Sequence, residues 1–210
     1  MNDIKIVENC FIFNYYAERV GTTMTLMGSA SEKFHGFSCE VSICPYGKGD
    51  SEIHTGIGFL DHMLELFAKH GSFDLKILCD EDLKIDEHHT VDEVSMNLGL
   101  AFKRACQSLK GSIKRFGFYI LPMDEVMTTS SVDVLAHRQS FVFDVDFHTE
   151  NIGMLKTEMI RDFWNMFSQK AECNMIIKSE YGINDHHIAE GVFKCVARSI
   201  KDALEFKEVL

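Results

Sequence analysis

The sequence predicts an α+β protein built as a tandem duplication of a ββαβα unit. Two observations carry this. The stretch Asp86-Glu87-His88-His89-Thr90-Val91-Asp92 returns at an offset of 98 as Asn184-Asp185-His186-His187-Ile188-Ala189-Glu190, each an adjacent histidine pair with a carboxylate three residues past the second histidine. The elements ahead of it return as well: Phe67, Leu75 and Ile77 match Phe167, Met175 and Ile177 at an offset of 100. Residues 36–120 then form the first repeat, 121–210 the second, and 1–35 an N-terminal extension outside the repeat pattern.

Element by element, residues 1–35 show only weak strand patterns, Phe11-Ile12-Phe13 and Thr23-Met24-Thr25-Leu26-Met27. Phe37 to Ile43 alternates, with Phe37, Cys39, Val41 and Ile43 on one face. Pro45-Tyr46-Gly47-Lys48-Gly49 is a turn, and Glu52 to Thr55 a return strand. Gly56-Ile57-Gly58 leads into a helix from Phe59 to His70, closed by Gly71 at a C-cap position. Phe73 to Leu78 is a strand, and the helix opened by the first histidine pair runs to about Leu109 with Val94, Leu98, Ala101 and Ala105 on one side. In the second half, Ser131 to Val134 and Ser140 to Phe147 suggest a hairpin, Met159 to Lys170 a helix, and Cys173 to Ile177 a strand. The last helix runs from about Asp185 to Leu204, with Val192, Val196 and Ile200 inward.

With 46% apolar and 25% charged residues, the 210-residue chain has the make-up of a globular protein with a real core. Its formal net charge of −11 argues against nucleic acid or an anionic membrane as partner. No apolar run approaches the roughly 20 residues needed to span a bilayer, and no signal peptide is evident. The seven cysteines are odd in number and scattered without C-x-x-C spacing, which reads as reduced thiols in a cytoplasmic protein.

A single histidine on a helix is usually a surface or core residue. Two copies of His-His with an acid in register, inside a duplication, are poorly explained that way. On a helix, residues i and i+3 or i+4 share a face, so each carboxylate can join one histidine at a cation. Neighbouring residues point about 100° apart, so the two histidines of a pair serve different ions. The duplication also sets His62 opposite Asp162. The proposed ligands are His62, His88, His89, Asp92, Asp162, His186, His187 and Glu190. Imidazole with carboxylate and no thiolate favours Mn²⁺, Fe²⁺ or Zn²⁺ over structural zinc. Lys194, two turns beyond His186, is a candidate for holding an anionic ligand, as are Arg115, Arg138 and Lys207, although most such residues are solvated surface.

Five linked stretches carry a resemblance. They are Thr55-Gly56-Ile57-Gly58-Phe59-Leu60-Asp61-His62-Met63-Leu64, Asp82 through Thr90, Arg115-Phe116-Gly117, Pro122-Met123-Asp124-Glu125, and Asn184 through Lys194. Together they resemble imidazoleglycerol-phosphate dehydratase, in order and with spacing kept from about residue 37 to 204. The resemblance implies two four-stranded sheets with helices packed on one face, the fold of ribosomal protein S5 domain 2. It implies two Mn²⁺ ions per site and a 24-subunit homo-oligomeric shell with sites shared between subunits. The implied reaction removes water from imidazole glycerol phosphate, by way of an imidazolate, a diazafulvene and an enol, to give imidazole acetol phosphate in histidine biosynthesis. By position, His88, Asp92, His186 and Glu190 would serve one ion, and His62, His89, Asp162 and His187 the other. Glu190, His62 and His88 would be catalytic, and His70, Arg115 and Lys194 would touch substrate, the cations holding its phosphate.

The chain departs from the family pattern at several places. Asp92 stands for Glu, and Asp162 for the more usual His. Leu135-Ala136-His137-Arg138 replaces Ser-Gly-Arg-Pro, leaving Arg138 as the substitute cation. Gly182-Ile183-Asn184 lacks a lysine, and Phe206-Lys207-Glu208 is what remains of a phosphate loop, with Lys207 its cation. The family's N-terminal acid–base Glu falls on Gly36, with Glu32 and Glu40 four residues to either side; Glu40 is the replacement expected here. A diverged member that binds metal and oligomerises, with altered or lost activity, is the alternative these departures raise.

Overall fold

The computed structural model describes residues 27–31, 33–34, 37–79, 87–136 and 138–207. The first half runs β1 (Gly28–Ala30), β2 (Lys33–Phe34), β3 (Phe37–Cys44), β4 (Ser51–His54), α1 (Gly58–Gly71), β5 (Asp74–Cys79) and α2 (Glu87–Cys106), which ends in a 3-10 turn at Gln107–Leu109. The second half runs β6 (Phe116–Met123), β7 (Val126–Asp133), β8 (Phe141–Asp144), a small β9 (Asn151–Ile152) and β10 (Leu155–Lys156) pair, α3 (Glu158–Ala171), β11 (Asn174–Tyr181) and α4 (Asp185–Ala203).

The duplication is carried into the topology. One sheet has the order β1-β3-β5-β4, with the two-residue β2 pairing only with β3; the other has the order β6-β7-β11-β8. Equivalent strands occupy equivalent places, and in both sheets the third strand of the half runs parallel to the strand after the helix, β4 with β5 and β8 with β11. Each half therefore holds the expected ββαβα unit with one strand ahead of it. That extra strand moves the expected boundaries. Sheet one begins at Gly28, inside the 1–35 span read as an extension, and sheet two begins at Phe116, before residue 121. The segments around Phe11 and Thr23 lie outside the described residues, as do Glu32 and Gly36.

Other expectations need correction. The second half's hairpin joins β6 to β7 across Asp124-Glu125, not β7 to β8; β7 and β8 flank β11 on opposite sides. Ser131 and Val142 share a face, but Ile176 lies between them, a pairing local pattern could not reveal. Helix α1 includes Gly71, and the left-handed cap falls on Ser72 (φ 56°). Gly71 is instead demanded by space, because a Cβ there would come within 2.0 Å of the Phe73 ring. Cys39 and Cys79 are not free thiols. Antiparallel β3 and β5 set them directly opposite, Cα atoms 4.0 Å apart, and their sulfurs are bonded. Cys106, Cys173 and Cys195 are buried thiols, as expected, and Cys44 is buried as well.

The buried faces of the sheets turn toward the helices. α2 packs on β1 and β3, α4 on β6 and β7, and the helices pair as α2 with α3 and α1 with α4. Where they meet, Phe67 of α1, Phe102 of α2, Trp164 and Phe167 of α3 and Phe193 of α4 form one aromatic cluster, all at most 1% exposed. Its ring centroids include Trp164–Phe193 at 4.9 Å, Phe67–Trp164 at 5.7 Å and Phe102–Phe167 at 5.6 Å. Such offset and tilted pairs add to the area they bury. This cluster fixes how the helices register against each other, and so where their first turns lie.

Two glycines repeat a close approach. A Cβ on Gly28 would lie 1.7 Å from the Ala101 carbonyl oxygen, and a Cβ on Gly117 would lie 1.9 Å from that of Ser199. Ala101 and Ser199 are related by the same offset of 98 as the histidine pairs. Edge strand and helix backbone thus touch identically in both halves. Gly117→Ala should destabilise the protein by about 3 kcal/mol, because the added methyl meets backbone that cannot move aside. Gly58→Ala, where nothing lies within 4 Å, should leave stability almost unchanged. Calorimetric melting of both variants checks this.

Candidate functional site

The site starts from two helix openings. Asn184 is extended (φ −93°, ψ 112°) and its side chain accepts from the His186 amide at 3.0 Å, so α4 begins there. That puts His186 and His187 in the first turn and Glu190 one turn later. His186 Nε2 meets Glu190 Oε1 at 3.0 Å, the expected i,i+4 pair. His62 arrives from α1, its Nε2 3.3 Å from the same Glu190 oxygen. The start of α1 is lashed down by Thr55 and Asp61. The Asp61 carboxylate accepts from the Thr55 amide at 2.9 Å and from its hydroxyl, and Thr55 Oγ1 accepts from the Ile57 amide at 3.2 Å. Thr55-Gly56-Ile57-Gly58 is therefore a device for placing the next turn, His62 included.

One donor atom from each of His62, His186 and Glu190 lies within 4.8 Å of the others. Ligands roughly 2.0–2.2 Å from a common ion stand about that close together, so the three fit one divalent cation. Phe59 packs edge-on against the His186 ring, centroids 5.1 Å apart. Glu190 is nearly buried, with 11% of its side chain exposed. Burial pushes its carboxyl up, but hydrogen bonds and charge from Lys194, then hydrogen bonds from His186 and His62, outweigh that and hold it down at about 2. It is an anion at any physiological pH.

The duplication repeats the arrangement. His88 Nε2 lies 3.3 Å from Asp92 Oδ2, again i,i+4. Burial raises the Asp92 carboxyl, and the nearby Asp162 charge on α3 raises it further, against His88 and His89. Asp162 thus faces Asp92 as His62 faces Glu190. Among the described residues only His62, His186 and Glu190 bring three such donor atoms within 4.8 Å of one another; at the second place His88 pairs with Asp92, and Asp162 acts through its charge. Within one chain His62 lies with His186 and Glu190, whereas the grouping expected for sites shared between subunits sets it with His89, Asp162 and His187.

His89 and His187 turn elsewhere. The rings of His88 and His89 are 73° apart in plane, and those of His186 and His187 85°. His187 Nδ1 meets Glu125 Oε2 at 2.9 Å, on the β6–β7 turn. This partner was missed from sequence. Its signal was present in Pro122-Met123-Asp124-Glu125, a two-residue hairpin turn with Asp124 left-handed (φ 49°).

The substrate candidates divide by position. His70 sits at the end of α1, half-buried, where burial and then Lys194, Arg198 and Lys69 lower its proton affinity and leave it neutral at pH 7. It and Lys194 lie on the same side of the α1–α4 pair as Glu190. Arg115, Arg138 and Lys207 lie at the other end. The Arg115 amide donates to the Ala203 carbonyl and the Lys207 amide to that of Ser112, both beyond the C-terminus of α4. The Arg115 guanidinium is gripped by Asp133 at 2.6 and 3.0 Å. Exposed Arg138 follows Ala136, whose amide donates to Glu172 at the end of α3. From His186 to the end of α4 is roughly 25 Å at about 1.5 Å per residue. No one chain brings these three cations to its own His186. Glu40 is exposed between buried Cys39 and Val41, so it faces away from the helices that carry the ligands.

Fold and site together define a duplicated α+β protein whose centre is built from paired imidazoles and carboxylates at helix openings. A family model, imidazoleglycerol-phosphate dehydratase, matches residues 55–200. A relative of that name from Clostridium botulinum is 46% identical over 163 residues, 78% of this chain and 83% of its own. Another from Phenylobacterium zucineum is 43% identical over 159 residues, 76% of this chain and 80% of its own. The crystal structure of imidazoleglycerol-phosphate dehydratase from Staphylococcus aureus superposes with a TM-score of 0.74 at 27% identity, covering 86% of this chain and 99% of that one. The chain belongs to the imidazoleglycerol-phosphate dehydratase family.

Asp185 fixes the loop beside the site. Its side chain, 5% exposed, accepts from the His148 and Thr149 amides at 2.9 and 2.7 Å, from the Thr149 hydroxyl, and meets His148 Nδ1 at 3.0 Å. Burial pushes the carboxyl up, but the hydrogen bonds from Thr149 and His148 prevail and hold it below the usual aspartate range. A depressed native proton affinity stabilises the fold above the unfolded value, near 3.9, and the gain is lost as pH falls below it. Asp185→Ala should cost about 1–3 kcal/mol at pH 7 by leaving those donors unpaired. The gap between wild-type and variant melting midpoints should close as the pH is taken below about 4.

Proposed function

We propose that this chain is a hydro-lyase that dehydrates imidazole glycerol phosphate to imidazole acetol phosphate in histidine biosynthesis, and that it does so with two divalent cations, Mn²⁺ or a similar transition metal, per active site. Family membership supports the reaction. The convergence of His62, His186 and Glu190 on one point carries the cation part of the reading. When bound, the cations supply Lewis acidity that makes the imidazole ring anion accessible near neutral pH and fix the ring in place.

The chain's own residues do the rest. Lys194 and the two histidines keep Glu190 ionised. The Thr55–Asp61 lash and the Phe59 ring hold His62 and His186 in position. Neutral His70 and cationic Lys194 stand on the side of the site where an anionic substrate tail would lie. Arg115, Arg138 and Lys207 are too far away to serve the same copy, so their action on substrate requires a neighbouring copy.

Self-association into a 24-subunit shell is the assembly this reading carries. The outer face of sheet two supports contact between copies. Phe118, Ile176 and Val142 stand in one row across it, 57, 52 and 45% exposed, with Ser131 between the first two. Phe116 and Ile120 extend the row along β6, an apolar area of the kind that marks an interface. No helix among the described residues is long and apolar enough to cross a membrane. A cytoplasmic location goes with the reading.

Glu190→Gln should lower the Mn²⁺ content of the assembled protein and reduce turnover of imidazole glycerol phosphate by more than about a hundredfold, exceeding the loss typical for outer partners of a ligand. Metal analysis beside a product assay checks both. Wild-type protein that carries its cations and gives no ketone product would reject the dehydratase reading.

A further inference from the structure

We infer that Glu125 is a positioning residue for His187, setting which ring nitrogen faces the cation. This rests on the reading of His187 as a cation ligand. Glu125 occupies the second position of the tight β6–β7 turn, and both of its oxygens are directed at the opening of α4. Oε1 accepts from the Asn184 amide at 3.1 Å, the residue that caps the helix. Oε2 faces His187 Nδ1 at 2.9 Å. One carboxylate therefore ties the hairpin to the helix start and to the imidazole at once.

The chemistry follows from what each group can offer. Glu125 Oε2 lies within hydrogen-bond length of His187 Nδ1. A carboxylate has only acceptors, so His187 must place a proton on Nδ1. When the ring carries that single proton, its lone pair is on Nε2. Asp124 Oδ2 lies 3.6 Å from Nε2, beyond hydrogen-bond length. A carboxylate behind a ligating imidazole fixes ring orientation and raises donor strength. His186, by contrast, has its Nε2 already turned on Glu190 and His62. The two neighbouring histidines are thus prepared for different ions by different means.

Glu125→Gln tests this. Glutamine can keep an oxygen on the Asn184 amide, so the helix start survives. Its amide N–H then faces His187 Nδ1 and favours the tautomer with the proton on Nε2, the wrong one for a ligand. Mn²⁺ titration of the full-length, assembled protein, followed by electron paramagnetic resonance, should show two classes of site in the wild type. In the variant, one class should weaken roughly tenfold to a hundredfold, the other should hold, and the metal-free melting midpoint should stay put. Adding Glu125→Gln to His187→Ala should cause no further loss. An unchanged isotherm, a further loss on the His187→Ala background, or weakening of both classes with a lower metal-free melting point would each overturn the assignment. A wild type that binds no Mn²⁺ would instead remove the cation reading itself.

Discussion

The constraint on which the structure turns is angular. Adjacent residues on a helix point about 100° apart, while residues four apart share a face. A histidine pair followed by an acid can therefore give one imidazole and the carboxylate to one place, and must send the other imidazole elsewhere. The observed contacts follow this. His186 pairs with Glu190 and His88 with Asp92, while His187 swings to Glu125. Within one chain the two imidazoles of a pair therefore answer to different partners.

The duplication supplies two such histidine pairs without making them equal. Topology, the Gly28 and Gly117 close approaches, and the helix openings repeat faithfully, because backbone packing tolerates little change. The side chains facing the ligand clusters have been free to diverge. Asp162 in place of a second imidazole puts a second carboxylate near Asp92, which burial and then the Asp162 charge raise, whereas Glu190 between two imidazoles and Lys194 is held low. A harder, more anionic site and a softer one now sit on the same frame.

Much of this was legible in the sequence, and the reasons for the gaps are physical. The histidine pairs, the helix spans and the duplication were readable because helical spacing and sequence offset are local or additive. The leading strands were not. β1 is three residues long with a glycine whose role is to bring a helix backbone close, and such a strand has no alternation to detect. The β7–β8 pairing was misread because strands that neighbour in sequence need not neighbour in a sheet. The cross-strand bond between Cys39 and Cys79 depends on register between segments 40 residues apart. The grouping of His62 with Glu190 likewise depends on α1 running beside α4, which residue spacing alone does not specify.

The departures from the family pattern read differently once placed. Ile183, in the position of a family lysine, is 79% exposed beside the α4 cap and takes no part in the His62 cluster. Lys207 and Arg138 stand at the far end with Arg115, away from the His62 cluster. Those departures fall outside the His62 cluster, whereas Asp92 and Asp162 stand with His88. The groups that must meet inside one chain, His62, His186 and Glu190 with Lys194 behind them, are intact. Orbital direction at a metal-type donor cluster demands placement to a fraction of an ångström; charge neutralisation of a phosphate needs only proximity. The His62 cluster keeps its donors, and the changes lie among the distant cations and beside His88.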